Sequence, residues 1–154
     1  MNTDLTIRCA TLDDIPGMLS LLQSLFAIEK DFCWDPGLQS RGLKMLICRA
    51  MHGDATVQVA ESVDRIVAMG TCQIRVSTAI GGFSGVIEDI IVMEQWRRRG
   101  AGKQILAALS RWARDQGCQQ VQLLADNENK NAHAFYTRQG WFRSRMECWK
   151  RVLV

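Results

Sequence analysis

The stretch from Val86 to Lys103, VIEDIIVMEQWRRRGAGK, constrains the fold of this chain more than any other. Side chains alternate between the two faces of a strand, so Val86, Glu88, Ile90 and Val92 share one face. Ile87, Asp89, Ile91 and Met93 share the other. Apolar residues on both faces imply a central strand covered on both sides. A Glu and an Asp on such a strand must be paired, hydrogen-bonded or open to a cleft, because a lone buried carboxylate is costly. They are either structural hydrogen-bonders at the start of the strand or part of a site.

The strand runs into Arg97-x-x-Gly100-x-Gly102, which opens a helix. Glycines let the backbone fold tightly, so successive N–H groups converge on an anion at a helix start. Arg97, Arg98, Arg99 and Lys103 add attraction and charge-assisted contacts. A solvated basic turn has the same composition, and the spacing alone does not choose between the two. The loop lacks the GxxxxGK[ST] of a P-loop and the GxGxxG of a dinucleotide fold, which favours another pyrophosphate ligand.

Around this stretch the chain reads as alternating elements. Leu5–Cys9 is a short strand, and Thr11 caps a helix with Asp13 and Asp14 in its first turn. The apolar stripe Ile15, Met18, Leu19, Leu22, Leu25, Phe26 lays that helix on a core. Pro16 is tolerable near its start. Residues Glu29 to Gly37 form a loop of acids and aromatics, and helical spacing resumes over Leu38 to Met51 at Leu43, Leu46, Ile47 and Ala50. Ala55–Glu61 and Ile66–Val76 are strands joined by a Val63-Asp64-Arg65 turn, with a bulge expected at Gly70. Gly81-Gly82 turns the chain into the central strand.

The following helix has its core face at Ile105, Leu106, Leu109, Trp112 and Ala113 and ends at Gly117. Val121–Ala125 is a strand, Ala132–Arg138 a short helix stopped at Gly140, and two strands close the chain, Trp141–Arg143 and Met146–Leu153. The expected fold is α/β: a mixed central sheet with helices on both faces, in the order β-α-α-β-β-β-α-β-α-β-β. At 154 residues, without linker or repeat, residues 1–154 suit a single domain.

Six scattered cysteines without a CxxC pair, two histidines without ligand spacing and no secretory start imply a metal-free protein of the reducing cytoplasm. No apolar run approaches the roughly 20 residues of a membrane span, so no membrane partner is expected. The net charge of +3 says little, and basic residues are too scarce outside the arginine loop for a nucleic-acid partner.

The motifs together resemble those of the GCN5-related N-acetyltransferase (GNAT) superfamily. The resemblance rests on Ile90-Ile91-Val92 followed by Arg97-Arg98-Arg99-Gly100-Ala101-Gly102-Lys103, then Asn129-x-x-Ala132-x-x-Phe135-Tyr136 and Gly140-Trp141. It covers nearly the whole chain and matches the order of elements. It implies an acetyl-CoA-dependent transferase in which Ile90, Ile91 and Val92 pair with the pantetheine arm. Arg97 to Lys103 would hold the pyrophosphate, Asn129 would contact the cofactor, and Tyr136 would sit by its sulfur. Pairing as a homodimer is a further implication.

Tyr136, the only tyrosine, has the chemistry to protonate a departing thiolate, with a phenol near 10 facing a thiol near 8.5. An alkylamine near 10.4 must lose a proton before it attacks, and Glu88 and Asp89 are candidates to receive it. Their Ile87-Glu88-Asp89-Ile90 setting resembles the acidic pair of polyamine and glucosamine-phosphate acetyltransferases. Alternation sends the two acids to opposite faces unless a bulge intervenes, and Glu88 is the marginal choice of base. Glu29, Asp31, Phe32, Trp34 and Asp35 lie where the family builds its acceptor pocket, and a solvated loop accounts for them equally. The acceptor expected is a small-molecule amine. The alternatives are a protein N-terminus or lysine, an aminosugar phosphate or aminophosphonate, and an acetyl-CoA-binding regulatory module without turnover.

Overall fold

The computed structural model describes residues 5–153. The chain divides into two compact units, Met1–Leu123 and Leu124–Val154.

In the first unit, five strands lie in sequence order, β1 (Thr6–Cys9), β2 (Ala55–Ser62), β3 (Arg65–Ser77), β4 (Gly82–Val92) and β5 (Cys118–Leu123). All neighbours are antiparallel except β4 and β5. Such a parallel pair needs a long crossover, and helix α3 (Ala101–Asp115) supplies it. Helices α1 (Ile15–Ile28) and α2 (Pro36–Ala50) fall between β1 and β2.

The two sheet faces are covered by different helices. Met18, Leu21, Leu22 and Leu25 of α1 and Leu43 of α2 cluster with Val57, Val59, Met69 and Ile91. On the opposite face, Ile105, Leu106, Leu109 and Ala113 of α3 are buried, as their spacing predicts. That packing explains Gly70. A Cβ there would lie 2.7 Å from the Ile90 Cδ1 and 2.8 Å from the Leu109 Cδ1, so a larger residue would displace those methyl groups and crowd α3.

A polar clamp fixes the first helix. Arg8 on β1 grips Asp14 with two bonds of 2.8 Å and donates Nε to Glu61 on β2 at 2.7 Å. The Thr11 backbone N–H donates to the same Asp14 carboxylate at 2.7 Å. The Arg8 guanidinium holds the Asp14 carboxyl below its ordinary range, with the Thr11 contacts adding.

Several boundaries differ from the sequence reading. α2 begins two residues before the expected Leu38, because the Asp35 side chain accepts from the Gly37 and Leu38 amides and caps it. β5 starts three residues earlier than Val121, in register with β4. The β2–β3 turn at Val63-Asp64 has both residues at positive φ, a two-residue hairpin loop made without glycine.

In the second unit the only regular element among the described residues is α4 (Lys130–Arg138). The strands expected at Trp141–Arg143 and Met146–Leu153 do not form. An extended segment becomes a strand only where a neighbour takes up its backbone groups, and among the described residues no ladder reaches this one. Phe142, Met146, Trp149 and Leu153 are accordingly exposed.

Candidate active site

The central feature is a break in the β3–β4 register. Ala68 pairs with Val92 and Met69 with Ile91, but the next pair is Thr71 with Glu88. Two β4 residues, Asp89 and Ile90, therefore oppose the single Gly70. A bulge was expected at Gly70, and the extra residue lies on the facing strand. Asp89 takes it up at φ +56, a region that aspartate tolerates better than branched residues do.

The bulge cancels the alternation that would separate the two acids. Glu88 faces Thr71 across the ladder, and the Thr71 hydroxyl lies against both the Glu88 carbonyl, at 3.3 Å, and the Asp89 carboxyl. Glu88 is exposed, and Gln73 Nε2 donates to its carboxylate at 3.4 Å. Asp89 is half-buried. Burial pushes its carboxyl up to about 6, the charges of Glu88 and Glu29 push the same way, and the Thr71 hydroxyl opposes them. Glu29 sits at the C-cap of α1. Among its neighbours in the loop between α1 and α2, Phe32 stacks on Phe26 at 5.2 Å, Trp34 packs against the core, and Asp35 caps α2.

Beyond the bulge, β4 loses its other neighbour. The β4–β5 ladder ends at Ile87 and Leu123, so in the first unit Ile91 and Val92 pair only with β3, while Ile90 stands in the bulge. Their outer edge offers backbone groups to an extended ligand, in the manner of an added strand.

The chain then turns through Glu94–Trp96, with the Met93 N–H donating to the Val67 carbonyl at 2.8 Å. Arg97 Nε donates to the Val92 carbonyl at 3.2 Å, and the Arg99 guanidinium lies 5.3 Å from the centre of the Trp96 ring. Arg98 and Gly100 adopt positive φ, +62 and +87. Gly100 is needed for that backbone and not for space, since a Cβ there would meet only Gln104, at 3.8 Å. The turn delivers the chain into α3, whose first-turn amides at Ala101, Gly102 and Lys103 have no partner within the helix. A free strand edge leading to a basic helix N-terminus fits an extended arm that ends in a pyrophosphate.

The second unit holds the remaining predicted residues. Asn129 caps α4, its Oδ1 accepting from the Ala132 amide at 3.0 Å. Tyr136 has Phe135 edge-on at 5.2 Å and Trp141 at 6.0 Å, and Gly140 at φ +83 brings the Trp141 amide back to the Tyr136 carbonyl. Asp126 Oδ1 accepts from the Glu128 amide.

Residues 17–141 match the Acetyltransferase (GNAT) family. The chain belongs to that family. GNAT relatives include an aminoalkylphosphonate N-acetyltransferase of Salmonella typhimurium, 24% identical over 90% of this chain and 85% of that protein. An aminoglycoside N(6')-acetyltransferase type 1 of Stenotrophomonas maltophilia is 35% identical over 37% of each chain. The chain spans 29% and 37% of the lengths of two curated relatives that it matches. Among solved structures, the aminoglycoside N-acetyltransferase AAC(6')-Iy in complex with CoA superposes with a TM-score of 0.83 at 16% identity, over 100% of this chain and 98% of that one. That likeness establishes the shared GNAT fold.

Sequence reasoning singled out both acids, the edge and the loop of this GNAT chain. It missed Thr71 and Gln73, which meet the two acids only through the β3–β4 register.

Proposed function

We propose that the protein is an acetyl-CoA-dependent N-acetyltransferase of small primary amines, working by direct attack of the amine. One observation carries the reading. The β4 bulge turns Asp89 toward Thr71 beside Glu88 and raises its carboxyl to about 6. At neutral pH such a carboxylate is ionised and attracts an ammonium, while its conjugate acid stands nearer to the amine than an ordinary aspartate's does. The base is Asp89, rather than the Glu88 toward which the sequence inclines. Exposed Glu88 adds negative charge at the acceptor end.

Acetyl-CoA, when bound, supplies the acetyl thioester. Its holding groups are the edge at Ile90 to Val92, the first-turn amides of α3, and Arg97, Arg98, Arg99 and Lys103. Asn129 and Tyr136 keep the roles that the resemblance gives them, cofactor contact and proton donor to the departing thiolate. The relatives named above, N-acetyltransferases of aminoglycosides and aminoalkylphosphonates, support a small-molecule acceptor. No helix among the described residues is long and apolar enough to cross a membrane. The six free cysteines suit a reducing cytoplasm, and a homodimer is carried over from the resemblance.

The test is thiol release from acetyl-CoA across a panel of amines, with wild type beside Asp89→Asn. Turnover of a small amine, reduced ~10²–10⁴-fold by the substitution, is expected. Tight acetyl-CoA binding without thiol release for any amine would contradict the reading and leave a binding module in its place.

A further inference from the structure

The sheet face that carries Glu88 continues past it as a polar floor. The register sets out three rows on this face: Thr71 with Glu88, then Gln73 with Val86 and Gln122, then Arg75 with Ser84. Successive rows are two residues apart, about 7 Å along the strands. Arg75 is exposed, and its Nη2 donates to Gln122 Oε1 at 2.6 Å, which draws the guanidinium across β4 into the middle row. No carboxylate among the described residues pairs with it. The floor is therefore dipolar. Glu29, Glu88 and Asp89 make one end negative, and a guanidinium with unused N–H donors stands about one row away.

We infer that the acceptor amine carries an anionic group, a phosphate, phosphonate or carboxylate, which Arg75 binds while the amine faces Asp89. The inference rests on Asp89 marking the acceptor end of the site. Guanidinium–oxyanion bonds are charge-assisted and suited to two-pronged contact. A second ammonium at that place would meet like charge, and a plain hydroxyl would leave the guanidinium's charge unanswered. A cationic end and an anionic end on one sheet face suit a phosphorylated aminosugar or a short aminoalkyl phosphonate, which carries both an ammonium and an oxyanion. Arg75 is then a specificity-determining residue, and Gln122 positions it.

The experiment compares matched acceptors under saturating acetyl-CoA: glucosamine 6-phosphate against glucosamine, and 3-aminopropylphosphonate against butylamine. The phosphorylated or phosphonylated member of each pair is expected to have the higher kcat/KM, chiefly through a lower KM. Arg75→Gln is expected to shrink that preference ~10–100-fold, with Arg75→Lys recovering part of it. Thermal melting of each variant checks that the fold is intact. A wild type that prefers the uncharged partner or a diamine overturns the inference and leaves N-acetyl transfer standing, as does an Arg75→Gln that slows both members alike. If no amine releases thiol while acetyl-CoA still binds, acetyl transfer fails and the inference falls with it.

Discussion

Asp14 and Asp89 are both aspartates drawn out of solvent in the same sheet-based unit, and their surroundings drive them in opposite directions. Asp14 meets Arg8 through two bonds and a backbone amide through a third, so its charge is welcome and its carboxyl titrates low. Asp89 has two acids within electrostatic reach and a single hydroxyl in its favour, so its carboxyl is raised to about 6. The first holds β1, β2 and the start of α1 together. The second is costly to ionise, and that cost is what suits it to accepting a proton.

Four substitutions probe the contrast, from the largest effect to the smallest. Asp14→Asn takes the two-pronged carboxylate partner from the Arg8 guanidinium, leaving it Glu61, and should lower unfolding stability by ~1–3 kcal/mol, measured by denaturant titration at pH 7. The sign with pH follows from the lowered carboxyl. Its contribution is present above the ordinary carboxylate range and is lost as pH falls through it, so wild type and variant should converge in acid.

Asp89→Asn should do the reverse. The folded chain holds this proton up to about 6, while the unfolded chain releases it near 3.8, so rising pH between those values destabilises the wild type. The variant should therefore be more stable at pH 7, by roughly 1–2 kcal/mol, with the gain vanishing below about pH 4. A variant that is more stable and much less active would mark Asp89 as a functional residue. A loss of stability would mark it as a second Asp14.

The smallest effects belong to the neighbours. Glu88→Gln removes a charge that raises Asp89, so the acid limb of the pH–rate profile should move down. Thr71→Val removes the hydroxyl that lowers Asp89, so the limb should move up. Shifts of under about one pH unit are expected in each direction.

Much of this contrast was hidden in the sequence, for physical reasons. The apolar periods of α1 and α3 and the both-faced β4 are local patterns, and they placed the layers. The arginine–glycine loop is contiguous, so its helix-opening geometry was legible too. The bulge was legible only in part: Gly70 marked its place, but the extra residue lies on β4, where Asp89 takes positive φ without being glycine. The Arg8–Asp14–Glu61 clamp joins residues up to 53 positions apart, which no local pattern marks. The closing strands were misread because the apolar residues of Trp141 to Leu153 find no ladder to join. Asp35, which the sequence left equally to an acceptor pocket or a solvated loop, caps α2, a role that only the folded backbone shows.

The central claim is that Asp89, held at the bulge, is the base. The measurement that meets it most directly is the pH dependence of kcat/KM for one accepted amine, in wild type, Asp89→Asn and Glu88→Gln. Wild type should lose activity below a midpoint of about 6, Glu88→Gln should keep that limb at slightly lower pH, and Asp89→Asn should lose it. An unchanged limb in Asp89→Asn, or its disappearance only in Glu88→Gln, would contradict the account.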